Sequence, residues 1–239
     1  MSLLCLTSAR SGPGVTTIVL ALAGCWPEGR RPLVVEADPD GGVLAARFRL
    51  TGRPGLATLA AASRSLAPAS VWEHAQELPG GVPVLVGPQS AEEAEAVLSD
   101  AGSPLASLFS SQAEFDGIAD CGRCRPGSPV LPLLQAAELV LVVARPTVEE
   151  LRPAVHRLRA LSMLHGRVGF LLVGEAPYGR AEVEEAFGFP VVASVPADPK
   201  AARLLAAGGS AQALRHSALV RSARSLAAAL AARLEAAPG

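Results

Sequence analysis

A glycine-rich segment near the start of the chain has the composition of a phosphate-binding turn. Residues 9–17 read ARSGPGVTT and lie between the apolar run 3–8 and a second apolar run, 18–23, which we predict to be helical. A glycine-rich turn between a strand and a helix aims backbone N–H groups and the helix N-terminus at one point, which favours an anion. Thr16 has the place of the hydroxyl residue that lies beside Mg²⁺ in such turns. The segment predicts phosphate binding; the alternative is a Gly-Pro-Gly turn that only joins strand and helix.

The elements that would position this turn alternate along the chain. Short apolar runs that predict strands fall at 3–8, 32–37, 82–86, 115–120, 139–144, 168–173 and 190–195. Most of these runs are continuously apolar, as expected for strands that are covered on both faces. The pattern predicts a three-layer α/β/α sandwich with a mostly parallel sheet, formed by residues 1–239 as a single domain. The glycine-rich turn would then lie at the carboxyl edge of the sheet.

Two helices are readable from their periodicity. Thr147 and Glu150 have the spacing of a capping box at the start of an amphipathic helix. A final helix over about 217–236 carries leucines on one side and three arginines near the other, and we expect it to pack on the sheet. An amphipathic membrane anchor is the alternative for this helix, but its apolar side has no bulky aromatic residue.

Composition and charge limit the classes of function. The chain has 239 residues, of which 50% are hydrophobic, and its net charge is −1, so no global electrostatic case exists for nucleic acid or an anionic membrane. No run of apolar residues is long enough to predict a membrane-spanning helix. The cysteines show no disulfide framework, which predicts a cytoplasmic protein. We interpret Cys121 and Cys124 as two ordinary thiols, because a metal site would need a second ligand pair.

The glycine-rich turn resembles the deviant Walker A loop of the ParA/MinD group of P-loop ATPases, whose pattern is KGGVGKTT. Arg10 stands at the first Lys of that pattern, and Val15 stands at the P-loop Lys. The resemblance implies that ATP or ADP binds along the turn and that Thr16 helps to bind Mg²⁺. The implied nucleotide-binding residues of the turn are Ser11, Gly12, Pro13, Gly14, Val15, Thr16 and Thr17.

Two acidic segments resemble further motifs of the same group in the same order. Residues 34–42 (VVEADPDGG) resemble its D-x-D-P-Q-G-N segment, with Glu36 in place of the first Asp. Asp38 matches the second Asp, which in the family orients the attacking water. Residues 115–120 (FDGIAD) resemble the Walker B strand, in which Asp120 would bind Mg²⁺ through water.

A third segment resembles the part of the family that lies near the adenine. Residues 195–199 (VPADP) are similar to its I-P-x-D motif, which implies that Pro196 and Asp198 contact the nucleotide. Where the family often has an Asn that reads adenine, this sequence has Gly174. The resemblance extends from about residue 3 to residue 205.

The departures from the family pattern leave three interpretations of function. Val15 cannot neutralise phosphate charge, and Lys200 is the only lysine in the sequence. The first interpretation is a degenerate nucleotide-dependent dimerisation switch, with weak or absent hydrolysis, that positions or regulates a cytoplasmic or membrane-associated assembly. The second is a nucleotide-free pseudo-ATPase scaffold for protein–protein interaction. The third is a true Mg-ATPase in which Arg10 compensates, since the family's first Lys reaches the phosphates of the partner subunit.

The resemblance also implies partners. We expect a homodimer and an unidentified protein partner, with cytoplasmic localisation that becomes peripheral at the membrane through that partner. The resemblance also implies a function similar to that of the family members with an altered Walker A loop that act in pilus assembly, the CpaE/TadZ type.

Overall fold

The computed structural model describes residues 2–10, 12–63, 68–111 and 114–235 and is built around one sheet. In chain order the strands are β1 (Ser2–Ser8), β2 (Pro32–Glu36), β3 (Gln76–Leu78), β4 (Val82–Leu85), β5 (Asp116–Arg123), β6 (Leu139–Ala144), β7 (Val168–Val173) and β8 (Val191–Val195). They lie in the order β3-β4-β2-β5-β1-β6-β7-β8, and only the β3–β4 pair is antiparallel among these described strands. The predicted α/β fold with a mostly parallel sheet is confirmed.

Helices cover both faces of the sheet. The helices are α1 (Val15–Ala23), α2 (Leu44–Phe48), α3 (Leu56–Ala62), α4 (Ala91–Ser111), α5 (Leu131–Ala136), α6 (Val148–Ser162), α7 (Arg180–Phe187), α8 (Pro199–Ala206) and α9 (Ala218–Glu235). Helices α3 to α7 share one buried apolar cluster with the sheet, and α1, α2, α8 and α9 share the other. Both faces of the central strands are therefore buried, which explains their continuous apolar runs.

The predicted strands are all present, with small differences at their ends. Strand β5 continues beyond the predicted end at Asp120 to Arg123, which brings Gly122 to the carboxyl edge of the sheet. Strand β3 was not predicted, because its Gln-Glu-Leu sequence carries no apolar run. It pairs at the edge of the sheet with β4.

The helix predictions are confirmed in one case and partly wrong in the other. Helix α9 buries Leu219, Leu230 and Leu234 in the same cluster as α1, so it packs on the sheet; residue 236 lies outside the described residues. Helix α6 begins after Thr147, but Thr147 makes no capping bond. The predicted capping box is wrong because the Glu150 carboxylate instead accepts a bond of 2.7 Å from the backbone N–H of Arg145.

The described helices include none that is long and apolar enough to cross a membrane.

Candidate functional site

The glycine-rich turn leaves the N-terminus of α1 open. Helix α1 begins at Val15, and the residue before it, Gly14, has a φ of 102° and offers no side chain to cap the first N–H groups. Gly12 has a φ of 94°, which glycine adopts more readily than other residues. The first turn of α1 contains no acidic side chain. An open helix N-terminus beside glycine backbone favours an anion. Ser11, also predicted to bind phosphate, lies outside the described residues.

Thr16 and Asp120 lie side by side at the base of this turn. Asp120 is 2% exposed, and its carboxylate accepts a hydrogen bond of 3.0 Å from the backbone N–H of Gly122. Burial is the main cause that raises the pKa of Asp120 to about 6; the charge of Glu36 acts in the same direction, and the Thr16 hydroxyl, the Gly122 N–H and Arg47 oppose it. A cation bound beside this buried carboxylate would therefore stabilise its charged form.

This pair has the chemistry of a partial magnesium site. Mg²⁺ prefers oxygen ligands, and proteins usually hold it through one or two carboxylates together with phosphates and water. The described residues contain no group of three or more His, Cys, Asp or Glu side chains that could hold a metal ion. A hydroxyl and one carboxylate fit Mg²⁺ that is bound together with a phosphate.

Asp38 lies beside the same pair. Its Oδ1 atom accepts a hydrogen bond of 2.8 Å from the backbone N–H of Asp40, and its carboxylate lies against Gly122. Burial raises the pKa of Asp38 to about 6, and the charges of Asp120 and Asp40 add to this effect. A carboxyl group with a pKa near neutrality can exchange a proton with water, so its chemistry suits the predicted role toward an attacking water.

Two arginines, one at the end of β5 and one just after it, are paired with Asp40. Arg123 lies 3.1 Å from one carboxylate oxygen of Asp40, and Arg125 bonds to the other. The Arg123 side chain is 35% exposed and that of Arg125 is 50% exposed, so both ion pairs remain in contact with solvent. The Nε atom of Arg123 is buried and has no hydrogen-bond partner among the described residues.

Glu36 has a structural place next to the site. It is 1% exposed, and its carboxylate accepts from the backbone N–H groups of Val43 (2.6 Å), Leu44 (2.8 Å) and Gly87 (2.8 Å). These bonds fasten the N-terminus of α2 and the turn after β4. Burial raises the pKa of Glu36, and the three hydrogen bonds oppose that effect.

The turn and the carboxylates share one cavity of about 410 Å³. The predicted site residues that line it are Gly12, Pro13, Gly14, Val15, Thr16, Thr17, Asp38 and Asp120. Arg10, which we predicted to act in catalysis, is exposed and does not line it. Val15 is 7% exposed and packs in the apolar cluster below α1. The cations that do line the cavity are Arg47 and Arg123, which sequence reasoning did not assign to the site.

A second cavity of about 380 Å³ continues from the first along the turn. Pro196 and Asp198 line it, as predicted for the base side of a nucleotide. However, Asp198 already accepts bonds from the backbone N–H groups of Ala201 (3.0 Å) and Leu219 (3.5 Å), so it caps α8 and holds the start of α9. Arg145 lines this cavity as well, and its guanidinium donates to the carbonyl of Gly12 at 3.0 Å.

Solved structures with this arrangement of strands and helices include ParA/MinD-type ATPases. A ParA family ATPase from Chlorobium tepidum TLS superposes with a TM-score of 0.82 at 20% identity, over 96% of this chain and 98% of that chain. The cell division ATPase MinD of Pyrococcus furiosus gives 0.77 at 20% identity, over 97% and 99%. The septum site-determining protein MinD of Pyrococcus horikoshii, complexed with Mg-ADP, gives 0.75 at 16% identity, over 96% and 95%.

The chain has the ParA/MinD fold. At these identities the likeness establishes the fold. The sequence matches no protein-family model and no curated protein.

The cysteines that follow Asp120 are structural within this ParA/MinD fold. Cys121 and Cys124 are free and buried, and burial raises the pKa of both thiols. A hydrogen bond with Cys5 is the largest cause of the increase at Cys121. Thiols with a raised pKa stay protonated at neutral pH and are poor nucleophiles and metal ligands.

Proposed function

We propose that the protein is a nucleotide-dependent dimerisation switch with weak or absent ATP hydrolysis. The observation that supports this most strongly is the shared cavity. It joins the open N-terminus of α1, the Thr16–Asp120 pair and Asp38 at the carboxyl edge of a ParA/MinD-type sheet. Ligands of open α/β sheets bind at this edge.

Different residues of the site would bind different parts of a magnesium nucleotide. The backbone N–H groups at Gly12, Gly14 and the start of α1 would hold phosphate oxygens, and Thr16 with Asp120 would hold Mg²⁺ directly or through water. The cavity lined by Pro196 and Asp198 would take the base and ribose. One neighbour of the same fold is complexed with Mg-ADP, which favours ATP or ADP as the ligand here.

Weak hydrolysis follows from the charges at the turn. Transfer of a phosphoryl group depends on positioned positive charge, and Val15 contributes none. Arg10 is exposed beside the turn and does not line the cavity of its own subunit. It is therefore available to the phosphates of a second copy, so we propose that Arg10 acts across a dimer interface.

A dimer formed in this way would bind a protein partner and position or regulate an assembly in the cytoplasm or at a membrane. The structural neighbours favour this role, because one is a cell division ATPase, MinD, and another is a septum site-determining protein, also MinD. We propose that this protein acts in pilus assembly, as do the family members of the CpaE/TadZ type with an altered Walker A loop.

Thermal unfolding with and without Mg-ATP, combined with light scattering, tests the proposal. A ligand at about 100 times its Kd adds about 2.7 kcal/mol to the free energy of unfolding, so binding gives a visible increase in Tm. We expect this increase together with a doubling of mass. Arg10→Gln should keep the increase in Tm and lose the dimer, whereas Arg221→Gln, an exposed charge on α9, should keep both. An unchanged Tm at millimolar nucleotide would contradict the switch and favour a nucleotide-free scaffold.

A further inference from the structure

Helix α2 places an arginine over the phosphate side of the cavity. Arg47 is exposed, lines the cavity together with Thr16 and Asp120, and is close enough to Asp120 to lower the pKa of that carboxyl. The other lining cation, Arg123, is already paired with Asp40 at 3.1 Å. Among the described residues, Arg47 has no ion pair or side-chain hydrogen bond. Its guanidinium is thus the uncommitted positive charge of this cavity.

The position of Arg47 is fixed by buried contacts around it. The carboxylate of Glu36 accepts from the first N–H groups of α2, at Val43 and Leu44, and Leu44 is fully buried. A side chain at Gly42 would lie within 2.5 Å of the Glu36 carboxylate, so the chain before α2 has little room to move. One turn after Leu44, Arg47 therefore projects from a fixed helix.

The turn itself has lost the charge that a phosphate would need. Val15 is 7% exposed and packs among apolar side chains, although the same residue borders the cavity. Asp38 and Asp120 add negative charge next to the open end of α1. A polyphosphate in this cavity needs a cation from another element, and Arg47 is placed to supply it.

We propose that Arg47 binds the phosphates of a nucleoside diphosphate or triphosphate in its own subunit and so replaces the charge that is absent at Val15. This inference rests on the proposed nucleotide-binding function. A guanidinium can bond to two phosphate oxygens at once, which makes it an effective substitute for an ammonium group. Arg47 is then a binding residue for the phosphates.

Titration of full-length protein with ADP, with and without Mg²⁺, tests this role. The variants are Arg47→Gln and, as a matched control, Arg49→Gln, which removes the same charge from an exposed position at the end of α2 outside the cavity. We expect Arg47→Gln to raise the Kd about ten- to hundred-fold, because it removes a hydrogen bond to a charged group. Arg49→Gln should change the Kd by less than about two-fold.

The titration in EDTA separates direct binding from an effect through Asp120. If Arg47 contacts phosphate, its loss weakens ADP binding without Mg²⁺ as well. A loss confined to the Mg²⁺ titration would overturn the proposal, because Arg47 would then act only on the metal carboxylate.

A double variant relocates the charge. Val15→Lys in the Arg47→Gln protein places a cation at the turn, and we expect it to restore most of the lost affinity. A matched Val15→Met change, similar in length but uncharged, should not. Thermal unfolding without nucleotide confirms that each variant is folded. If the wild-type and Arg47→Gln proteins bind ADP with equal Kd, the proposed role of Arg47 is overturned but the nucleotide-binding function is not. If the wild-type protein binds no ADP, both the nucleotide-binding function and the role of Arg47 are overturned.

Discussion

The carboxylate of Asp38 occupies the space that a side chain at position 122 would fill. Gly122 has a φ of 52°, and a Cβ atom there would overlap the Asp38 carboxylate. The backbone N–H of Gly122 also bonds to Asp120. One glycine therefore sets the distance between the segment after β2 and the carboxylate on β5.

Replacement of this glycine should destabilise the protein through Asp38. We expect Gly122→Ala to lower the free energy of unfolding by about 1–2 kcal/mol, from the left-handed backbone and the overlap together. In an Asp38→Ala background the same change should cost less, because the overlap is gone. Urea unfolding of the two single variants and the double variant measures this coupling. Strict additivity would show that Asp38 and Gly122 do not share this space.

The buried charge of Asp120 should lower the free energy of unfolding of the ligand-free protein. Raising a carboxyl pKa from 3.8 to about 6 corresponds to about 3 kcal/mol, so Asp120→Asn should increase the free energy of unfolding at pH 7 by up to that amount. The folded pKa is the higher one, so the folded state binds more protons between pH 3.8 and 6. The gain is therefore complete above about pH 6, shrinks as the pH falls, and is absent below about pH 3.8.

Urea unfolding across this pH range checks the prediction, with Asp100→Asn on the exposed face of α4 as the control. A gain that is equal at pH 4 and pH 7 would show that burial of the charge is not its cause.

Glu36 should behave as a structural residue and support the position of Arg47. In Glu36→Gln the amide nitrogen would face one of the three N–H donors at Val43, Leu44 and Gly87, and we expect a loss of about 1–3 kcal/mol. Glu77→Gln, at an exposed position on β3, should change the stability little. Equal Tm values for the two variants would contradict this account.

The base side of the site should discriminate weakly between purines. Asp198 is engaged by backbone N–H groups, and Gly174 has no side chain. Arg145 is held by Glu150 and by the carbonyl of Gly12. A pocket whose polar groups are already paired cannot read a base strongly, so the Kd values for ATP and GTP should differ by less than about ten-fold. Competition titrations measure this ratio, and a preference above a hundred-fold would refute the prediction.

The fold and the location of the cavity were predictable because they depend on local signals. The apolar runs of β1, β2 and β5 carry Thr16, Asp38 and Asp120 to one edge of the sheet, since parallel strands end on the same side. Strand β3 was missed because edge strands of polar sequence have no such signal.

The charges of the site were less predictable, because they depend on contacts between distant segments. The ion pairs of Arg123 and Arg125 join the end of β5 to Asp40 after β2. Arg47 lies on a helix of five residues whose position depends on a buried carboxylate. The signal available in the sequence was indirect: with Val15 at the phosphate position and no nearby lysine, an arginine shortly after the acidic segment was a candidate.

Calorimetric titration of Mg-ADP into the wild-type protein and into Thr16→Val tests the central claim, that the cavity at the start of α1 binds a magnesium nucleotide. The variant keeps the size of the side chain and removes the hydroxyl that pairs with Asp120. We predict one site per chain in the wild-type protein, with an affinity that Mg²⁺ increases, and a loss of that increase in Thr16→Val. Absence of binding to the wild-type protein, or an equal response to Mg²⁺ in both proteins, would contradict the account.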